Sequence, residues 1–316
     1  MGKIPHNLKL NQCVPTNLVK LYNRTVEDEA SRFKISSRFL AKRDNENKLA
    51  LVFSGGGNKG AAQVGMLQAL VEHGFEFDFL IGCSVGSLNA AAFAKSPDLE
   101  GVKVLNELWQ GLKTEKVFAP GSVFRGVRFA EKRRSVYSNE GLKQIINSLL
   151  PEMNFEDLAL PLHVVATSFN TADEVWFNEG PLLYPLLASA ALPGIYPPIS
   201  IGNTDLLDGG VLNDAPISKA IELGAKTIVL LSCNTVETNK PFPERPIETI
   251  IESIGVAISA RLKRDLSTLP LGVEVLVGEF SGPYGLDWKD FSHADQLIKR
   301  GYDEMSRFLS LNFRKL

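Results

Sequence analysis

Ser84 is the residue on which chemistry can be built. It sits in Gly82-Cys83-Ser84-Val85-Gly86, a G-x-S-x-G. Glycines on both sides of a serine let a strand turn sharply into a helix and lift the hydroxyl out as a nucleophile. A second glycine-rich turn lies upstream, Gly55-Gly56-Gly57-Asn58-Lys59-Gly60. Free backbone N–H groups in such a turn hold an anion at the head of a helix. A serine beside an anion-binding loop predicts acyl transfer, with the loop receiving the oxyanion. Gly55, Gly57 and Gly60 also fit G-x-G-x-x-G, so a nucleotide-binding α/β protein using Gly55 to Gly60 is the alternative from a different class. That alternative wants an acidic residue at the end of the second strand. Gly82-Cys83-Ser84 stands there instead, and Asp78 lies at the strand's start. A P-loop is excluded, because Lys59 is followed by Gly60.

A serine nucleophile needs a base. The histidines are His6, His73, His163 and His293. Only His293 gives the order Ser–Asp–His, with Asp208 between, but no loop glycines position it. Asp208 is the better base. Leu206-Leu207-Asp208-Gly209-Gly210 ends an apolar strand with a carboxylate and two flexible residues. A carboxylate of ordinary pKa, about 3.9, is a weak base, and partial burial raises its basicity. The bland readings are a helix N-cap for Ser84 and a turn aspartate for Asp208.

These residues need strands and helices to position them. Leu49 to Phe53 reads as a buried strand, Asn58 to His73 as a helix, Phe77 to Ile81 as a strand and Ser84 to Lys95 as a helix. Asp98 caps a third helix ending near Leu112. Further helices are expected over Tyr137 to Leu150, Pro181 to Ala191, Pro216 to Leu223, Pro246 to Leu269 and Asp290 to Leu311. Further strands are expected over Leu162 to Thr167, Val175 to Phe177, Asp205 to Leu207, Thr227 to Leu231 and Val273 to Val277. Alternation of this kind predicts an α/β fold with a mostly parallel central sheet sandwiched by helices.

Residues 1–47 carry a basic excess and read as an N-terminal extension, with Thr16 capping a helix over Asn17 to Phe33. Residues 113–136 interleave Arg125, Arg128, Lys132, Arg133 and Arg134 with Phe124, Val127 and Phe129, as a lid or membrane-facing loop does, or a solvated one. Residues 48–287 form the expected catalytic domain, and 288–316 a C-terminal amphipathic helix packed on it.

Over 316 residues, 44% are hydrophobic and the net charge is −2, which offers no global attraction to nucleic acid. Cys13, Cys83 and Cys233 are too dispersed for a disulfide framework or zinc site and suit a reducing compartment. No metal or cofactor is expected. There is no signal-peptide h-region and no apolar run of transmembrane length. A soluble, cytoplasmic protein is expected, with any membrane contact peripheral.

Taken together, four motifs resemble the patatin-like phospholipases, or lipid acyl hydrolases. Gly55 to Gly60 is similar to that family's oxyanion loop, with Lys59 in its basic position. Gly82 to Gly86 is similar to its nucleophile elbow. Ala188-Ser189-Ala190-Ala191-Leu192-Pro193 is similar to its A-S-x-x-x-P segment. Asp208-Gly209-Gly210 is similar to its D-G-G, with Asn213 and Pro216 downstream. Cys83 and Tyr196 stand where the family often has threonine and phenylalanine. The resemblance implies a Ser84–Asp208 dyad without histidine, an acyl-enzyme, no calcium requirement, and phospholipid or lysophospholipid esters as substrates. An esterase or thioesterase on smaller acyl groups would use the same residues.

Overall fold

A computed structural model describes residues 19–23, 47–118, 135–233, 244–280 and 287–312. Among these, nine strands form one sheet. They are β1 (Val19–Asn23), β2 (Lys48–Phe53), β3 (Phe79–Cys83), β4 (Leu162–Ser168), β5 (Glu174–Phe177), β6 (Ile199–Ile201), β7 (Thr204–Asp208), β8 (Ala225–Ser232) and β9 (Glu274–Glu279). The order is β1-β9-β8-β2-β3-β4-β7-β6, with β5 also paired to β4. The middle run β9-β8-β2-β3-β4 is parallel throughout. Antiparallel strands complete it, β1 on β9, β5 along the outer edge of β4, and the β7–β6 hairpin beyond the end of β3 on the edge of β4 that β3 shares. The sheet is therefore mixed, with a parallel centre.

The central strands are buried on both faces, and period two sorts their side chains. Leu49, Leu51, Phe53, Leu80, Val229, Leu231 and Leu276 enter one core. Ala50, Val52, Phe79, Ile81, Ile228, Leu230, Val275 and Val277 enter the other. The helices are α1 (Gly60–Glu72), α2 (Val85–Lys95), α3 (Leu99–Gly111), α4 (Thr114–Val117), α5 (Glu140–Leu149), α6 (Leu183–Ser189), α7 (Gly210–Asn213), α8 (Ile217–Glu222), α9 (Pro246–Ser267) and α10 (Ala294–Asn312). Helices α1, α2, α3 and α10 cover the first face, and α8 with the C-terminal half of α9 covers the second. Where α1 and α10 cross, a Cβ on Gly65 would lie 1.8 Å from the Ile298 carbonyl oxygen, so only glycine admits this approach. Gly301 meets Ala62 in the same way from the other side, its Cβ falling 2.2 Å from Ala62 O.

One expectation is overturned. The helix over Asn17 to Phe33 does not form at Val19–Asn23, which is an edge strand in register with Glu274 to Gly278 of β9. The spacing of Leu18, Leu21 and Tyr22 fits a helix locally, but the outer edge of β9 carries backbone groups that need a partner. The remainder of that helix lies outside the described residues, as do His6 and the basic–aromatic residues Phe124 to Arg134. Strand β6 and helices α4 and α7 had no sequence signal, being only three or four residues long.

Candidate active site

Strand β3 ends at Cys83, and Ser84 turns the chain into α2 with φ 52° and ψ −130°. That is a strained backbone for a residue with a Cβ. Gly86 makes the turn possible by close approach, since a Cβ there would sit 2.4 Å from the Ser54 carbonyl oxygen. Gly82 packs as tightly against Ser87. Ser84 occupies the N-cap position of α2 without capping it through its side chain. Its hydroxyl instead donates to Asp208 Oδ2 at 2.6 Å. The Ser84 N–H donates to Ser189 Oγ at 2.9 Å, so the A-S-A-A segment braces the elbow from α6. The positive end of α2 faces the hydroxyl and favours its ionised form.

The sheet brings Ser84 and Asp208 together across 124 residues. Cys83 pairs with Val165, and Asp208 pairs with the next residue, Ala166, along the same edge of β4, since β5 pairs with both Val165 and Ala166 on the opposite edge. The two side chains therefore meet above the same point of β4. Gly209 continues the chain past β4 so closely that a Cβ would fall 2.5 Å from Val165 O. The Gly210 N–H donates to Asp208 Oδ1 at 2.8 Å, and Cys83 Sγ lies 3.9 Å from the same oxygen. Asp208 is 3% exposed, and this burial pushes its carboxyl up to about 6 against the hydrogen bonds that favour the carboxylate. Burial likewise pushes the Cys83 and Cys233 thiols up, keeping both neutral.

The glycine loop runs beside Ser84. The Gly55 N–H is spent on Asp214 O at 3.2 Å, which leaves Gly56 and Gly57 as the loop's lining of the adjoining cavity. Both adopt positive φ, 154° and 59°. Cys233 at the end of β8 packs under Gly56, and its thiol donates to Lys59 O at 3.3 Å. Lys59 is half-buried and lines the cavity, while Gly60 opens α1 against Val85 and Trp109.

A buried relay holds this loop from below, and no motif signals it. The Trp109 indole N–H donates to Asn89 Oδ1 at 2.9 Å. Asn89 Nδ2 donates to Gln63 Oε1 and to Gly60 O, at 2.9 and 3.0 Å. Gln63 Nε2 donates to Ser54 O and Leu231 O, at 2.8 and 3.0 Å. Asn89 and Gln63 are almost wholly inaccessible, so each bond replaces one that water cannot supply. Above, Asn58 Nδ2 ties the loop to Asp287 O and Asp290 O.

The cavity beside Ser84 and Asp208 has a volume of about 680 Å³. Leu88, Leu108, Leu142, Ile145, Leu192, Ile195 and Phe291 are among its apolar walls. Phe118 stacks on Tyr196 at 5.8 Å and meets Trp288 edge-on at 5.2 Å. The Tyr196 hydroxyl, extra relative to a phenylalanine, donates to Val117 O at 3.0 Å. Ile251, Ile254 and Ile258 of α9 form a further wall, with Glu248 and Glu252 beside them.

Among the described histidines none is a hydrogen-bond partner of Ser84. His293 Nε2 pairs with Asp290 Oδ2 at 3.3 Å before α10, His73 Nδ1 contacts Ala69 O, and His163 packs edge-on against Phe79. The arrangement can therefore activate a hydroxyl through a carboxylate alone, next to an apolar cavity.

A sequence model of the patatin-like phospholipase family matches residues 51–221. Patatin-like phospholipase domain-containing protein 7 of Rattus norvegicus is 30% identical over 216 residues, which is 68% of this chain and 16% of that protein. Patatin-like phospholipase domain-containing protein 6 of Homo sapiens is 30% identical over 220 residues, 69% of this chain and 15% of that protein. The chain thus spans about one sixth of the length of these relatives. Among solved structures, human GIVD cytosolic phospholipase A2 is 12% identical with a TM-score of 0.49, covering 93% of this chain and 64% of that one. VipD from Legionella pneumophila is 16% identical with a TM-score of 0.45, covering 97% of this chain and 72% of that one. With the family model matched over more than half of its residues, the chain belongs to the patatin-like phospholipase family.

Proposed function

We propose that this chain is a serine lipid acyl hydrolase that cleaves carboxylic esters of phospholipids or lysophospholipids through a Ser84–Asp208 dyad. The 2.6 Å hydrogen bond from Ser84 Oγ to the buried Asp208 carboxylate carries the reading. In the proposed cycle the acyl chain lies along the apolar walls of the cavity. Asp208 accepts the hydroxyl proton as Ser84 Oγ attacks the ester carbonyl. The N–H groups of Gly56 and Gly57 meet the oxyanion, since Gly55 donates to Asp214 O. Losing one such donor typically costs about 3 kcal/mol of transition-state stabilisation. Asp208 returns the proton to the departing alkoxide, leaving an acyl-Ser84 ester. A water, deprotonated by Asp208, then attacks that ester, and the proton returns to Ser84 as the fatty acid leaves.

A carboxylate pushed up to about 6 is a better proton acceptor than an ordinary one, yet stays mostly ionised at neutral pH. Every proton transfer is assigned to a group of this chain, so hydrolysis is expected to persist in a calcium chelator. The test is labelling by a fluorophosphonate together with hydrolysis of defined phospholipids, lysophospholipids and short-chain esters. Ser84→Ala is expected to lose both labelling and hydrolysis. Labelling that survives in Ser84→Ala removes the nucleophile assignment, and a preference for the shortest esters favours an esterase instead.

A further inference from the structure

We propose that the outer face of the N-terminal half of α9 is a membrane-docking surface, which seats the cavity mouth on a phospholipid bilayer. The proposal rests on the lipid-hydrolase reading for its purpose, but its physical basis lies in α9 itself.

Most surface helices turn apolar residues inward and charges outward. The first half of α9 departs from this, with its charges on the inward face and none on the outward one. Its inward residues Glu248 and Glu252 line the cavity together with Ile251, Ile254 and Ile258. Its outward face is Thr249, Ile250, Ser253, Val256, Ala257 and Ala260, which carries no charge. Ile250 and Val256 are 55% and 69% exposed. The two hydroxyls on this face need no water. Thr249 Oγ1 donates to Arg245 O at 3.2 Å and Ser253 Oγ to Thr249 O at 2.7 Å, so both are satisfied within the helix. The exposed face therefore enters an apolar interface without stranding a polar group.

The ends of the strip complement a lipid surface. Arg245, which also reaches Glu248 Oε1 at 3.3 Å, stands before its first turn, and exposed Lys263 and Arg264 follow its last. Cations at the ends of an uncharged face reach lipid phosphates while the middle enters the acyl boundary. Leu262 and Leu266 anchor the C-terminal half of α9 to the sheet, so the strip is held on a rigid base. Val211 of α7, 39% exposed, lines the same cavity. A lipid leaving the bilayer past this helix thus moves from one apolar surface to the next.

The size of the strip argues against a second copy of the chain as occupant. Twelve helical residues give a strip roughly 18 Å long and about 10 Å wide. That offers on the order of 200 Å², well short of the about 800 Å² per partner of a standard protein interface. It is ample for an interfacial anchor, whose strength scales with the apolar area inserted.

The test is flotation of the full chain with vesicles of phosphatidylcholine and phosphatidylserine, in the Ser84→Ala background so that lipid is not consumed. Ser84→Ala is expected to float, and adding Ile250→Asp and Val256→Asp is expected to weaken partitioning about tenfold or more, because two aliphatic side chains are kept out of the interface. In the otherwise native chain the same pair is expected to leave hydrolysis of a water-dissolved short-chain ester unchanged while hydrolysis of vesicle phospholipid falls. Ala257→Asp, also outward and exposed, should act in the same direction with an unchanged Tm. Flotation of the Ile250→Asp/Val256→Asp chain equal to its parent overturns the proposal. A shift from dimer to monomer with unaltered flotation also overturns it, in favour of a second copy. A native chain that hydrolyses no ester at all refutes the enzymatic reading, while flotation still decides the docking surface.

Discussion

Replacing Asp208 by asparagine separates two consequences of its burial. The carboxyl is pushed from about 3.9 to about 6, roughly 2 units, and each unit is worth about 1.36 kcal/mol. Between those values the folded chain holds a proton that the unfolded chain has released. Stability that is fully present below about pH 3.9 is therefore lost as pH rises through about 6, amounting to about 3 kcal/mol. Asparagine mimics the protonated acid, accepting from Gly210 and donating toward Ser84, and does not titrate. Asp208→Asn should thus be nearly isostable with the parent at pH 4 and more stable by about 3 kcal/mol at pH 7. Taking about 2 °C per kcal/mol, its Tm advantage at neutral pH is about 6 °C. Activity should move oppositely, with Asp208→Asn losing hydrolysis at every pH. The parent's kcat/KM should climb about tenfold per pH unit below about 6 and level off above it. Thermal unfolding and initial rates on a dissolved ester, from pH 4 to pH 8, read both effects. A Tm difference that does not change with pH would show that Asp208 titrates normally, and the argument from burial would fail.

The backbone of Ser84 lies at positive φ, so Ser84→Gly should raise stability by about 1–2 kcal/mol while abolishing hydrolysis; a lower Tm would contradict the strain. Asn89→Leu leaves the Trp109 N–H, the Gln63 amide oxygen and the Gly60 carbonyl without their partner. A cost of about 3 kcal/mol or more is expected by chemical denaturation, with kcat falling more than KM rises because the relay supports the glycine loop. Gly65→Ala should cost about 3 kcal/mol or more by forcing α10 off α1, whereas Gly74→Ala, which meets nothing within 4 Å, should cost less despite its positive φ.

The parallel centre of the sheet was legible because its strands are short apolar runs closed by glycine and followed by helical spacing, as in Leu49 to Val71. Strand β1 was not, because its pairing is decided by the open edge of β9, more than 250 residues away. Ser84, the two glycine turns and Asp208 were visible as local motifs, and the structure brings all of them to one end of the sheet. Their registration along one edge of β4 was invisible, since nothing local links Cys83 to Val165 or Asp208 to Ala166. Ser189 was legible only as part of a motif, and its bond to the Ser84 N–H needed coordinates. The Trp109–Asn89–Gln63 relay left no trace in the sequence, because each residue reads as an ordinary member of its own helix. Gly55 stood in the expected oxyanion loop by spacing, yet backbone geometry commits its N–H to Asp214.

The registration of Ser84 and Asp208 over a single point of β4 has a kinetic meaning. Ser84 directly follows one strand and Asp208 ends another in one continuous sheet, which sets the 2.6 Å contact between them. Separating them would require unzipping β7 from β4 or β3 from β4, an event on the scale of unfolding and far costlier than loop motion. For the proposed hydrolase, control of turnover then falls on traffic: on what reaches the cavity, how long the fatty acid stays, and whether the mouth is seated on lipid.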